Sequence, residues 1–388
     1  MIAALRLAPR TREPLAIAAA SVALLGSLAG GPGTATAASP RPSKICAACH
    51  GPIQKAWSAS VKAKSWTNPV FQAFLADAQA ARGDKIRMVC LSCHAPQAAV
   101  GGNLAVDDPV EQEGVTCNFC HNVSAVEVSD RPASYTHDPS NPNLMRGPYK
   151  DSDPGSAHEF EFNETFTKGD FCSACHWAKN EKGVEIEGTY PLWKASKASA
   201  AGKQCQTCHM PPAPGKASPL SKKQRDAVYA HSFLGPRVPG GLDSLVTLSG
   251  EVTSGKLKLT VLNTRAGHAL PGGGRSLRSI TLEVSWLDAA GKELSRATVD
   301  SYGTEFADST GKSPVPKWLA ASVKRANEIP ADSPVVELVD LVPGAKRAEA
   351  TLTYQPILPA YRTALAARQV DLTGRDPVLL AKTSVTLP

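Results

Sequence analysis

All ten cysteines of this 388-residue chain fall into five Cys-x-x-Cys-His units. The units are Cys46-Cys49-His50, Cys90-Cys93-His94, Cys117-Cys120-His121, Cys172-Cys175-His176 and Cys205-Cys208-His209, and no cysteine is left over. The spacing dictates a local shape. Positions i, i+3 and i+4 share one side of a helical turn, so each unit presents two thiols and an imidazole together. Two thiols so placed can add to the two vinyl groups of one porphyrin, while the histidine binds its iron. The pattern therefore reads as covalent attachment of haem c, five times over.

Two other readings compete. Ten cysteines in an exported chain often form disulfides, and Cys-x-x-Cys units with histidine also bind zinc. Histidine makes up only 9 of 388 residues. Five independent placements directly after a Cys-x-x-Cys pair have odds on the order of one in a hundred million. Coincidence of that size favours haem.

Export agrees with this. Arg6, Arg10 and Arg12 precede an apolar, Ala-rich run from Leu15 to Leu28, and Ala35-Thr36-Ala37 has the small residues of a cleavage site. Residues 1–37 are thus expected to be a secretory signal, giving a periplasmic or extracellular protein. No later stretch is long and apolar enough to span a bilayer, so the mature chain is expected to be soluble. The formal charge is +7, of which residues 1–37 carry +2, leaving +5. Each ferric haem with ionised propionates adds about −1. The basic excess then reads as partner to propionates, and no basic run with interleaved aromatics points to nucleic acid.

The chain changes character near residue 240. The motifs lie between about 41 and 235, at irregular intervals of 44, 27, 55 and 33 residues between first cysteines, so no tandem repeat is present. Helices are expected over 54–65 and 69–81, a loop over 131–154 and a proline-rich linker over 211–218. Beyond 240, polar and apolar residues alternate over 256–262, 279–286 and 348–354, and more weakly over 383–387. Such period-two runs read as half-buried strands; 358–368 reads as a short helix. The expected fold class is α+β. A mostly helical and irregular pentahaem c-type cytochrome domain (38–240) is followed by an antiparallel β-sandwich-like domain (241–388).

Five irons need five distal positions, and only four histidines lie outside the motifs: His137, His158, His231 and His268. An iron held between two imidazoles suits electron transfer, and a five-coordinate one suits catalysis. Each of the four has a bland alternative as a loop, surface or turn residue. His137, in an Asn/Pro-rich loop, carries the weakest signal.

Further residues carry a family resemblance. Glu113-Gly-Val-Thr-Cys-Asn-Phe-Cys-His121, Phe171-Cys-Ser-Ala-Cys-His176, and Cys205-Gln-Thr-Cys-His-Met-Pro211 with His231-Ser-Phe233 resemble the cytochrome c-554-type multihaem cytochromes. Asn263 to Pro271, with Gly-His-Ala-Leu-Pro, resembles the β-domain of many of these proteins. The resemblance implies that His158, His231 and His268 are distal ligands. One departure stands out. Relatives read Trp-x-x-Ser-x-His-Ala after the first motif, and that histidine is a distal ligand. This chain has Lys62 there, within Trp57-Ser-Ala-Ser-Val-Lys-Ala63. Three outcomes stay open: Lys62 binds iron as a neutral amine, or lines an open site, or Met88 or Met145 reaches the iron. Met210 directly follows a proximal histidine and is badly placed for its own haem.

The leading expectation is an electron carrier working between redox partner proteins. The alternative is an oxidoreductase acting on a small nitrogen or sulfur compound of the nitrite or hydroxylamine class, with Lys62 beside an open iron. Against it, the Cys-x-x-Cys-Lys attachment of pentahaem nitrite reductases is absent. A third expectation is docking or polymerisation into an oligomer or filament through the β-domain.

Overall fold

The computed structural model describes residues 41–138 and 141–388; the expected signal segment lies outside them. Local chemistry sets the first helices. Ser43–Ala59 is helical but breaks at His50 (φ −121°, ψ 37°), because Pro52 has no N–H and its ring collides with the carbonyl four residues back. Pro69–Arg82 is capped by the Asn68 side chain, which accepts from the Val70 and Phe71 amides at 3.1 and 3.4 Å, and is closed by Gly83 at φ +72°. Its buried face is Val70, Ala73, Leu75 and Ala78. The other four motifs lie on short helices: Lys85–His94, Cys117–Asn122, Asp170–His176 and Cys205–His209.

Three sequence expectations change here. The helix expected over 54–65 stops at Ala59, and Ser60 to Thr67 is a run of turns. Tertiary bonds win over propensity: the Lys62 amide donates to Ser60 Oγ at 3.2 Å, and the Lys62 carbonyl accepts from Val115 N at 3.1 Å. The loop expected over 131–154 contains two short strands. Tyr135–His137 pairs antiparallel with Val123–Val126, and Leu144–Gly147 pairs parallel with Glu159–Phe162. Buried Arg146 pins them, bonding Glu161 at 2.9 Å and Asp138 at 3.3 Å. The proline-rich stretch after the fifth motif is no linker. Pro212–Gly215 pairs with Arg225–Tyr229 in a two-stranded ribbon, whose free edges tolerate proline.

Seven strands form the C-terminal layers. One sheet runs in the order Val335–Asp340, Lys256–Asn263, Val246–Thr253, and the other Glu293–Tyr302, Ser279–Leu287, Arg347–Gln355, Val378–Thr386, every neighbour antiparallel. Alternation places Leu257, Leu259 and Val261 of one sheet against Ile280, Leu282, Val284, Trp286 and Leu352 of the other. Each such side chain adds roughly 1.5–3 kcal/mol of hydrophobic stabilisation. The last strand is longer than its weak alternation indicates, because its register follows Arg347 to Tyr354 throughout.

The sandwich packs against the helices that precede it. Leu365, on the helix Pro359–Ala367, shares a cluster with Val70 and Ala73, and Arg368 pairs with Asp77 at 2.8 Å. Phe74 meets Trp318 and Tyr361 with ring centres 5.3 and 5.8 Å apart. Among the described residues no helix is long and apolar enough to cross a membrane. Leu282 is fully buried between the sheets; Leu282→Ala is expected to cost about 3 kcal/mol, read as a lower denaturation midpoint by far-ultraviolet circular dichroism.

Candidate haem centres

Seven of the nine histidines are held in a common way. The Nδ1 of His50 donates to Ala217 O (2.7 Å), of His94 to Ser65 O (3.2 Å), of His121 to Arg146 O (2.5 Å) and of His209 to Leu234 O (2.5 Å). Outside the motifs, His158, His231 and His268 donate to Glu159 O, Tyr229 O and Ala269 O, each at 2.9 Å. A backbone carbonyl on Nδ1 fixes the tautomer and leaves Nε2 as a bare lone pair, the state a metal-binding imidazole requires. Seven of the nine are so prepared.

Six of these rings lie in three pairs. His50 and His158 have ring centres 6.5 Å apart, His121 and His231 6.4 Å, and His209 and His268 6.3 Å, with ring planes within 30°, 22° and 9°. Rings stacked in contact lie near 3.5–4 Å, as Phe71 does on His94 at 3.8 Å. The longer spacing has a different meaning. Two metal–nitrogen bonds of about 2 Å, plus about 1.2 Å from each nitrogen to its ring centre, sum to ~6.4 Å. The three pairs therefore fit one iron between two imidazoles. Burial, followed by the neighbouring His121, holds His231 down at about 4, and burial likewise lowers His268. Both stay neutral and able to donate a lone pair at pH 7.

Lys62 faces the fourth motif. Its Nζ lies 3.4 Å from His176 Nε2, above the Phe233 ring at 5.9 Å. Burial and then the Lys62 charge push His176 to about 3. The turn that delivers Lys62 is built on one glycine. Gly114 sits at φ +75°, and a Cβ there would lie 2.6 Å from Lys62 O and 2.5 Å from Ser65 Oγ. Only glycine allows the chain before the third motif to pass so close, which accounts for its place in Glu113-Gly-Val-Thr.

His94 and His137 are left over. No second imidazole is paired with the His94 ring among the described residues; burial, and then the Lys317 charge, hold this histidine at about 4. His137, expected from the sequence as a ligand, is not brought opposite any motif histidine. Its ring lies parallel to Phe119 at 5.4 Å, and both its nitrogens are buried without a hydrogen-bond partner. Met88 is exposed on the second motif's own helix, and Met145 lies in the strand Leu144–Gly147; neither is brought to His176.

The ten thiols are free, with no disulfide among them. Among the described residues no group of three or more His, Cys, Asp and Glu converges as a zinc cage would. Instead cysteines of different motifs touch. Cys46 and Cys117, Cys93 and Cys175, and Cys172 and Cys205 are near enough to shift each other's thiol ionisation. Cys120 and Cys172 also act on each other electrostatically. The fourth motif is thus a hub: its two cysteines meet the second and fifth motifs, and it lies beside the third, which meets the first. Free thiols in register, bare Nε2 atoms and buried apolar surroundings fit covalently attached haem.

Comparison with known proteins agrees. Residues 45–122, which hold the first three motifs, match the family of cytochrome c554 and c-prime. A penta-heme cytochrome c552 from Thermochromatium tepidum superposes with a TM-score of 0.68 at 22% identity, covering 89% of this chain and 99% of that one. At that identity the likeness speaks for the fold. A superoxide reductase aligns at a TM-score of only 0.19, with 9% identity over 37% of this chain and 87% of that chain, and carries no argument. No curated protein matches the sequence. Residues 45–122 are thus similar to the cytochrome c554 and c-prime family, and the chain shares the fold of a penta-heme cytochrome c552.

Gly114→Ala should strain the left-handed turn and push Lys62 away from His176. The expected result is a loss of roughly 1–3 kcal/mol, with an altered absorption or paramagnetic-resonance signature at a single haem rather than at all.

Proposed function

We propose that this cytochrome c-554-like chain carries electrons between redox partner proteins outside the cytoplasm through five haems c. Cys46, Cys49, Cys90, Cys93, Cys117, Cys120, Cys172, Cys175, Cys205 and Cys208 hold the porphyrins, and His50, His94, His121, His176 and His209 bind the irons. His158, His231 and His268 are the second ligands of the first, third and fifth centres, and the Lys62 amine that of the fourth. The single observation behind this reading is the set of three imidazole pairs at 6.3 to 6.5 Å. Residues 38–240 then form the haem domain and 241–388 a β-domain that lends His268.

Each iron supplies a one-electron store when bound. The chain's own residues do the rest. Paired, hydrogen-bonded imidazoles keep the coordination sphere nearly unchanged between oxidation states, which keeps electron transfer fast. Touching cysteines bring neighbouring centres close in the order first, third, fourth, fifth, with the second branching from the fourth. The ends of that order reach the surface: Ile45 is exposed beside the first motif, and Cys208 and His209 are exposed in the fifth. The middle is buried, with Ser173 and Ala174 almost inaccessible. Electrons then enter and leave at the ends while the hub stays dry.

A second reading rests on one observation: among the described residues no imidazole is paired with the His94 ring. If its iron keeps an open position, the second centre is where a small nitrogen or sulfur compound would react, fed by the hub.

The test is a reductive titration of the purified protein with paramagnetic resonance at each step. Uptake of five electrons per chain is expected, with one high-spin centre beside four low-spin ones. Fewer than five haems by mass would refute the assignment. Lys62→Ala should convert about one further centre to high spin, and an unchanged spectrum would remove Lys62 as a ligand.

A further inference from the structure

The two sheets of the β-domain are unequal, three strands against four. Their four outer edges are treated differently. Val246–Thr253 and Val378–Thr386 close on each other: a Cβ at Gly250 would lie 2.7 Å from Val385 Cγ2 and 3.5 Å from Thr383 Cγ2. Glu293–Tyr302 is blunted, since its ladder shifts register twice and carries the exposed pair Arg296 and Glu293. Such shifts twist an edge away from a would-be partner. The fourth edge, Val335–Asp340, is the end strand of the smaller sheet. It matches Lys256–Val261 over six consecutive pairs without a shift. Its sequence, Val-Val-Glu-Leu-Val-Asp, holds neither proline nor lysine. The one inward charge, Glu337, is held by the Tyr302 hydroxyl at 3.1 Å.

The outer face of this edge is apolar. Val336 is 47% exposed and Leu338 59%, with Leu262 at 38% diagonal to Val336 on the neighbouring strand. Charges around them cancel within the chain: Lys256 pairs with Asp340 at 2.8 Å and Lys258 with Glu251 at 2.9 Å. A strongly charged partner therefore gains nothing here, and two copies of the face meet without net repulsion. The row of main-chain N–H and C=O groups along the edge calls for another extended strand.

We propose that Val335–Asp340 pairs antiparallel with the same strand of a second copy, joining the two three-stranded sheets into one across a two-fold axis. Opposite residues in an antiparallel pair share a face, so the axis must pass through a residue. At Glu337 it would set two carboxylates against each other, which is unfavourable. At Leu338 it sets Leu338 against its copy and Val336 against Asp340 of the copy, with Glu337 opposite Val339. The interface is isologous and closes at two chains. It goes beyond electron carriage and does not depend on how any iron is ligated.

Sedimentation equilibrium of the full, haem-loaded protein is the test. The wild type should double its mass as concentration rises from ~1 to ~100 μM, the range in which a modest interface associates. Leu338→Glu sits opposite Lys258 in its own sheet and opposite its own copy in the dimer. It should keep the fold and raise the dissociation constant at least about tenfold. Leu294→Glu, on the blunted edge, should dimerise like the wild type. Under oxidising conditions Leu338→Cys should cross-link to itself and Val336→Cys should not. A wild type that stays monomeric over the whole range would overturn the proposal. So would dimerisation unaffected by Leu338→Glu, because the contact would then lie elsewhere. Cross-linking of Val336→Cys in place of Leu338→Cys would overturn the register.

Discussion

The hydrogen bond from an imidazole Nδ1 to a backbone carbonyl is the small interaction on which the rest depends. It costs the fold almost nothing, since it also satisfies a carbonyl that burial would otherwise leave unpaired. Its effect is directional: it turns Nε2 outward and keeps it unprotonated. In the motif histidines the carbonyls come from far along the chain, Ala217 for His50 and Leu234 for His209. In the opposing histidines they are sequence neighbours, such as Glu159 for His158 and Ala269 for His268. The motif half of each pair is therefore set by tertiary structure, and the opposing half by its own loop. Helices this short have no independent stability. The irregular segments between motifs hold these rings, which is why so much of the first half is turns.

The sandwich contributes through its loops rather than its core. Asn263 Nδ2 donates to His268 O at 3.0 Å, tying the His268 loop to the end of a sheet strand. Gly272, at φ +60°, lets the chain turn tightly beside the ring, where a Cβ would lie 2.7 Å from the imidazole. The stiffness of two sheets sharing one core is passed to one imidazole through a single side chain and a glycine. The same domain reaches the second motif by a separate route, through Lys317 and Trp318. A mostly β module appended to a haem-binding chain thus acts on two centres at once.

Much of this was readable in the sequence. The five motifs, the change of character near residue 240 and all four alternating runs have local signatures, and local signatures survive folding. Resemblance pointed to His158, His231 and His268, and to the oddity of Lys62. What sequence could not supply was partnership. The pairing of His50 with His158, of His121 with His231 and of His209 with His268 depends on which loops meet in space. Proline at 211 and 212 looked like a linker because propensity registers the missing N–H and not the free edge of a ribbon that makes it harmless. Lys317 and Glu187 carried no signal, since a charged pair is usually a solvated one; in the fold they bond at 2.5 Å, within electrostatic reach of Cys90 and His94.

The arithmetic of ligands ends in a different place from where it begins. Counting histidines gives a shortage of one, and comparison with relatives puts that shortage at Lys62. The geometry does not leave a gap there: the Lys62 amine lies 3.4 Å from His176 Nε2, delivered by a turn that only Gly114 permits. His94 is the motif histidine with neither an imidazole partner nor a lysine contact like that of His176, while His137 lies against Phe119 with both nitrogens buried. Lys62 thus stands at the motif with the most neighbours, the second, third and fifth. The histidine count names the residue that departs from its relatives, and the geometry names the motif histidine it faces.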